Sequence, residues 1–183
     1  MDEIFSFVRH IFREEDLQRS PSQVVRPLRI SDRSKAFLLT VGLPRWIPFG
    51  GGELEFTLMD RLPVLNDLLP KDDYVIKPGW EDYRFMSFQY DGGYALNEGD
   101  GGQVWGLSVD RGRNEFLNSS VELLGWFAAE WIRVGSAYPD GGDAFIKELR
   151  AMQKRMEEID PPAINDELAV WPYVIEDAEL FAR

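Results

Sequence analysis

The stretch Asp91-Gly92-Gly93-Tyr94-Ala95-Leu96-Asn97-Glu98-Gly99-Asp100-Gly101-Gly102-Gln103-Val104-Trp105-Gly106-Leu107-Ser108-Val109 decides how this chain is read. Tyr94 to Leu96 and Gln103 to Val109 have strand patterning. Asp91-Gly92-Gly93 reads as a tight turn into the first, and Asn97 to Gly102 as a turn between the two. Upstream, Tyr83-Arg84-Phe85-Met86-Ser87-Phe88 and Tyr74-Val75-Ile76 are further strand candidates. Glu53-Leu54-Glu55-Phe56-Thr57-Leu58 alternates charge with hydrophobe, as a half-buried strand does. Consecutive strands joined by short glycine-rich turns favour an antiparallel meander over alternating βαβ units.

Helical periodicity flanks this middle on both sides. Ile4, Phe5, Val8, Ile11 and Phe12 predict an amphipathic helix over about Asp2 to Gln18, ended by Ser20-Pro21-Ser22. A second helix is predicted from Asp32, as its N-cap, to Val41, with Gly42 as terminator. After the strands, Ser119-Ser120-Val121-Glu122 reads as a capping box, and Val121, Leu124, Phe127, Ala128 and Trp131 form an apolar stripe. Asp143 is placed to cap a helix carrying Phe145, Leu149, Met152, Met156 and Ile159, which Asp160-Pro161-Pro162 stops. A last helical segment runs from Leu168 to Phe181, with Pro172 in its first turn. The predicted fold class is α+β in a single domain over residues 1–183, with residues 1–30 as an N-terminal helix and linker.

The chain has 183 residues, 44% of them hydrophobic, enough for a core and against wholesale disorder. Twenty Lys and Arg stand against 32 Asp and Glu, a net charge of −12. Such a field repels phosphate backbones and anionic lipid, so neither nucleic acid nor a membrane is an expected partner, whereas a basic protein is attracted. No apolar run is long enough to span a bilayer. Cysteine is absent, which removes disulfides, thiolate metal sites and cysteine nucleophiles together. The start Met1-Asp2-Glu3-Ile4 lacks a secretory pattern, and a cytoplasmic protein is expected.

Catalytic motifs fail one after another, so no catalytic, cofactor-binding or metal site is predicted. His10 is the sole histidine and cannot build a two-histidine metal site. Gly50-Gly51-Gly52 lacks the Gly-Lys-Ser/Thr ending of a phosphate loop, and Gly106-Leu107-Ser108-Val109-Asp110 ends in Asp where a nucleophile elbow needs glycine. Asn97 to Gly102 looks acidic enough for calcium, but its register puts Leu96 where the first carboxylate ligand belongs. Two carboxylates with Trp46, Trp80 or Trp105 as a sugar platform would make a small glycoside hydrolase, yet no spacing selects two acids out of 32.

One surface stands out. Asp72, Asp73 and Tyr74, followed by Trp80, Glu81, Asp82 and Tyr83, mix acids with aromatics in loop-like context. Aromatic anchors ringed by negative charge suit a partner-binding patch that steers a basic protein, and the competing reading is a solvated loop with its aromatics folded inward.

A series of motifs also carries a family resemblance. Val41-Gly42-Leu43-Pro44 closes the early helix, and Gly102-Gln103-Val104-Trp105-Gly106-Leu107 forms a strand. Phe116-Leu117-Asn118-Ser119-Ser120 opens the long helix, and Asp160-Pro161 and Trp171-Pro172-Tyr173-Val174-Ile175-Glu176 complete the series. In order and spacing this resembles the SUKH superfamily, specifically its fourth immunity-protein family, over residues 36–181. The resemblance implies a curved antiparallel sheet flanked by helices. It also implies a non-enzymatic antidote that binds a cognate bacterial toxin, commonly a nuclease or deaminase domain, and blocks it. A SUKH-like scaffold binding a cellular protein unrelated to toxins is the alternative. No oligomeric state follows from the sequence.

Overall fold

The computed structural model describes residues 2–49, 52–69, 78–89, 92–108, 113–139 and 141–182. The helices are α1 (Glu3–Ile11), α2 (Ser22–Val25), α3 (Asp32–Thr40), α4 (Leu65–Leu68), α5 (Val121–Ala137), α6 (Gly142–Ile159), α7 (Pro161–Asn165) and α8 (Trp171–Phe181). The strands are β1 (Leu17–Gln18), β2 (Leu43–Pro44), β3 (Trp46–Phe49), β4 (Gly52–Glu55), β5 (Tyr83–Phe85), β6 (Gly92–Asn97), β7 (Gln103–Ser108) and β8 (Arg113–Asn118). β5-β6-β7-β8 form a four-stranded antiparallel meander, and β1-β2 and β3-β4 are two further antiparallel pairs. The domain is α+β, as its patterning predicts.

Several local expectations need correction. The first helix stops at Ile11 rather than near Gln18, because Glu14–Asp16 form a 3-10 turn and Leu17 and Gln18 pair with β2. Ser31, not Asp32, caps α3, its hydroxyl accepting from the Ser34 amide at 3.0 Å. The predicted capping box dissolves: Ser120 is the N-cap of α5, while the Glu122 carboxylate turns inward to accept from Ser34 Oγ at 2.8 Å. Phe116 to Asn118 belong to a strand, and Gly92 and Gly93 lie inside β6 rather than in a turn. The candidate strand Tyr74-Val75-Ile76 falls outside the described residues. Gly42 ends α3 as expected. It holds φ +84°, and a Cβ there would sit 2.2 Å from the Gln18 carbonyl oxygen, so both backbone conformation and close approach require glycine.

α5 is the hub. Its buried residues are not one stripe but most of its circumference, including Leu124, Gly125, Trp126, Phe127, Ala128 and Ala129, because α1, α3, α6 and the sheet all pack on it. Gly125 admits the Phe37 ring, whose Cζ would lie 2.5 Å from an added Cβ. Alanine at 125 returns about 1 kcal/mol of helix propensity, against an overpacking cost of about 1–3 kcal/mol at a ring with nowhere to go. Gly125→Ala is therefore expected to lower the melting temperature, which thermal denaturation followed by circular dichroism checks.

Between α5 and α6 lies a four-charge network. Glu130 accepts from Arg133 and Arg155 at 2.9–3.0 Å, and Glu148 from the same two guanidinium groups at 2.9 Å. The Arg133 hydrogen bond above all, then Arg155, holds the Glu148 carboxyl below its ordinary range against the opposing effect of burial. A carboxyl whose folded pKa is depressed stabilises the fold above its unfolded value, and that stability is lost as pH falls through the folded one. Glu148→Gln should flatten the decline in urea midpoint below about pH 5; an unchanged acid limb would contradict the assignment.

Candidate functional site

The antiparallel register lines Tyr94, Gly106 and Glu115 up as neighbours across β6, β7 and β8. Without a side chain at Gly106 the middle of that row is a depression walled by the Tyr94 ring, which an added Cβ would meet at 3.4 Å. The β3-β4 hairpin closes the other side. In β4 the side chains alternate, so Leu54 is buried while Glu53 and Glu55 share the opposite face with their cross-strand partners Pro48 and Trp46. The result is a cleft of about 230 Å³ lined by Glu53, Glu55, Tyr94, Gly106 and Glu115, with Gln89 donating to Glu55 Oε2 at 3.1 Å. Trp46 stands beside it, 53% exposed.

Part of the acidic surface is paired with cations: Asp2 with Arg33, Glu14 with Arg19, Asp82 with Arg29, Glu98 with Arg84, Glu179 with Arg150. Among the described residues no lysine or arginine pairs with Glu53, Glu55 or Glu115. The Tyr94 phenol is pushed up to about 12, by burial first and then by the Glu115 charge, so at neutral pH it is a protonated hydrogen-bond donor. Three carboxylates, a phenol and an exposed indole around a concave floor make a receptor for a cationic side chain.

The sequence-predicted patch is only partly present as such. Asp72, Asp73 and Tyr74 lie outside the described residues. Trp80 and Tyr83 are 3% and 5% exposed and pack with Leu65, Phe85 and Leu107, so their rings face inward. Glu81 is exposed and accepts from the Gly79 amide at 3.0 Å, while Asp82 is paired with Arg29. The Asn97 to Gly102 turn closes on itself, Asn97 accepting from the Gly99 amide at 2.9 Å and donating to Asp100 at 2.8 Å. Among the described residues no group of three or more His, Asp or Glu side chains is placed to hold a metal ion, and no described helix is long and apolar enough to cross a membrane.

Glu53, Glu55, Tyr94 and Glu115 are absent from the sequence-level list of site residues. The alternation of Glu53-Leu54-Glu55 was a visible signal that two carboxylates share a face. Nothing local announces that β8 brings Glu115 to meet them.

The model of the SUKH-4 immunity protein family matches residues 6–177, nearly the whole chain. The chain belongs to the SUKH-4 immunity protein family. No curated protein and no solved structure matches it. The family match takes in α1, which packs along α5, so in this SUKH-4 chain the N-terminal helix is part of the family region.

Proposed function

We propose that this SUKH-4 protein binds a cognate toxin protein, a basic nuclease or nucleic-acid deaminase domain, in the cytoplasm and occludes its active site without catalysis of its own. The observation that carries the reading is the convergence of Glu53, Glu55 and Glu115 on one cleft with no cation among the described residues paired to them. A protein that acts on nucleic acid presents cations where its polyanionic substrate docks, and a carboxylate-lined concavity competes for those cations. The net charge of −12 adds steering at longer range, to which Asp72, Asp73, Glu81 and Asp82 contribute.

The test is the association rate of a toxin domain that this chain neutralises in a co-expression screen of basic nuclease and deaminase domains, measured at low ionic strength. Glu53→Lys/Glu55→Lys is expected to slow association by about 10- to 1,000-fold, with the far-ultraviolet circular dichroism unchanged. Charge reversal at Glu81 and Asp82 should have a smaller effect, because Arg29 already compensates Asp82. Equal rates for wild type and the cleft variant would refute the cleft. A complex in which the toxin still turns over its substrate would refute occlusion.

A further inference from the structure

We infer that the outer edge of β8 pairs with the same edge of a second copy of this chain, antiparallel and centred on Asn114. β8 is the last strand of the meander, so among the described residues one side of its backbone has no strand neighbour. At Phe116 that side is taken: its amide donates to the Leu168 carbonyl at 2.9 Å and its carbonyl accepts from the Val170 amide at 3.1 Å. Backbone groups alternate in direction along a strand, so Asn114, two residues earlier, also points its N–H and C=O outward. There the covering segment has ended. Asn114 Oδ1 is buried and has no hydrogen-bond partner among the described residues. Beside it runs a groove of about 680 Å³, bordered by Arg113, Glu115, Leu168, Val170 and Tyr173, with Tyr173 65% exposed.

The residues on either side of Asn114 select the occupant. Neither Arg113 nor Glu115 has an ion-pair partner among the described residues. In an antiparallel pairing with a two-fold axis at Asn114, Arg113 of each copy stands directly opposite Glu115 of the other, on the same face. Each charge then has one partner, and the dimer has two such ion pairs. The symmetric pairing thus meets the outward main-chain groups and both unpaired charges in one register. The −12 charge on each copy opposes approach, but at physiological ionic strength it is screened beyond about 8 Å. Contact groups therefore decide. Because residues 168–170 occupy the edge from Phe116 onward, only three residues per strand pair, and the association is weak and concentration-dependent.

Sedimentation of the full chain over a concentration series tests this without reference to any toxin. The mean mass is expected to rise from the 21.1 kDa of the monomer toward twice that value. Arg113→Glu and Glu115→Arg, both on exposed side chains, should each weaken self-association about tenfold. An equimolar mixture of the two variants should restore it, since each then presents the charges the other lacks. Because the chain has no cysteine, Asn114→Cys should give a covalent dimer on mild oxidation, whereas Glu15→Cys, at an exposed site outside β8, should not. A monomer at every concentration, or single variants that associate like wild type, would overturn the proposal. So would binding of an added basic protein at this edge by a chain that never self-associates.

Discussion

Replacing Trp171 with alanine is expected to destabilise the fold by about 3–5 kcal/mol, a large part of the roughly 5–15 kcal/mol that holds a domain of this size. The indole is fully buried. Its ring centre lies 5.2 Å from that of Phe127 and 6.5 Å from that of Trp131, and Nε1 donates to Asn118 Oδ1 at 3.2 Å. Alanine opens a cavity between α5 and α8 and leaves the Asn118 acceptor without its donor. Trp171→Phe keeps most of the volume and should lose much less. Urea unfolding monitored by circular dichroism separates the two variants. Because α8 follows directly on the segment that covers β8 at Phe116, Trp171→Ala should also speed hydrogen exchange at the Phe116 and Val170 amides.

Asp160→Ala is expected to cost about 2–4 kcal/mol. This carboxylate is 1% exposed and accepts from Asn118 Nδ2 at 3.1 Å, the Ser119 amide at 2.9 Å and Ser119 Oγ at 2.6 Å. It thereby ties the junction of α6 and α7 to the point where β8 turns into α5. Alanine removes the acceptors and strands the donors, and the buried Asn118 amide cannot recover its bond from bulk water. Asp160→Asn should fall between, since it retains one carbonyl oxygen. Asn118 bridges the two sites, accepting from Trp171 and donating to Asp160, so the double variant should lose less than the sum of the singles. Additivity within about 0.5 kcal/mol would show that the bridge is not coupled.

Those two residues also show how far the sequence could be read. Asp160-Pro161 was legible as a helix stop and Pro172, beside Trp171, as the first turn of the last helix, because proline geometry acts locally and acts the same way in any fold. Their shared partner was not legible: Asn118 lies 42 and 53 residues away from them and sits in a strand that looked like the approach to a helix. The same division applies to Ser119 and Glu122. Their spacing matches a capping box, but Asp160 and Ser34 offer them buried partners, and a tertiary hydrogen bond displaced the local one.

The candidate site divides along the same line. Acidity, the lack of cysteine, the strand–turn–strand middle, the helical flanks and the resemblance to an immunity family all follow from composition and short-range pattern, which need no neighbour to be true. Which carboxylates act together depends on neighbours. Trp80 and Tyr83 looked like anchors and went into the core, where they pack with Leu65, Phe85 and Leu107. Glu53, Glu55 and Glu115 looked like ordinary surface acids. They became a cleft because strand alternation turned Glu53 and Glu55 to one face, and the register set Glu115 beside a glycine, Gly106, that leaves the floor open. Patterning along the chain set which elements form and which way they face. Only the packing of those elements decided which charges were left without a partner, because pairing depends on distance in space and not along the chain.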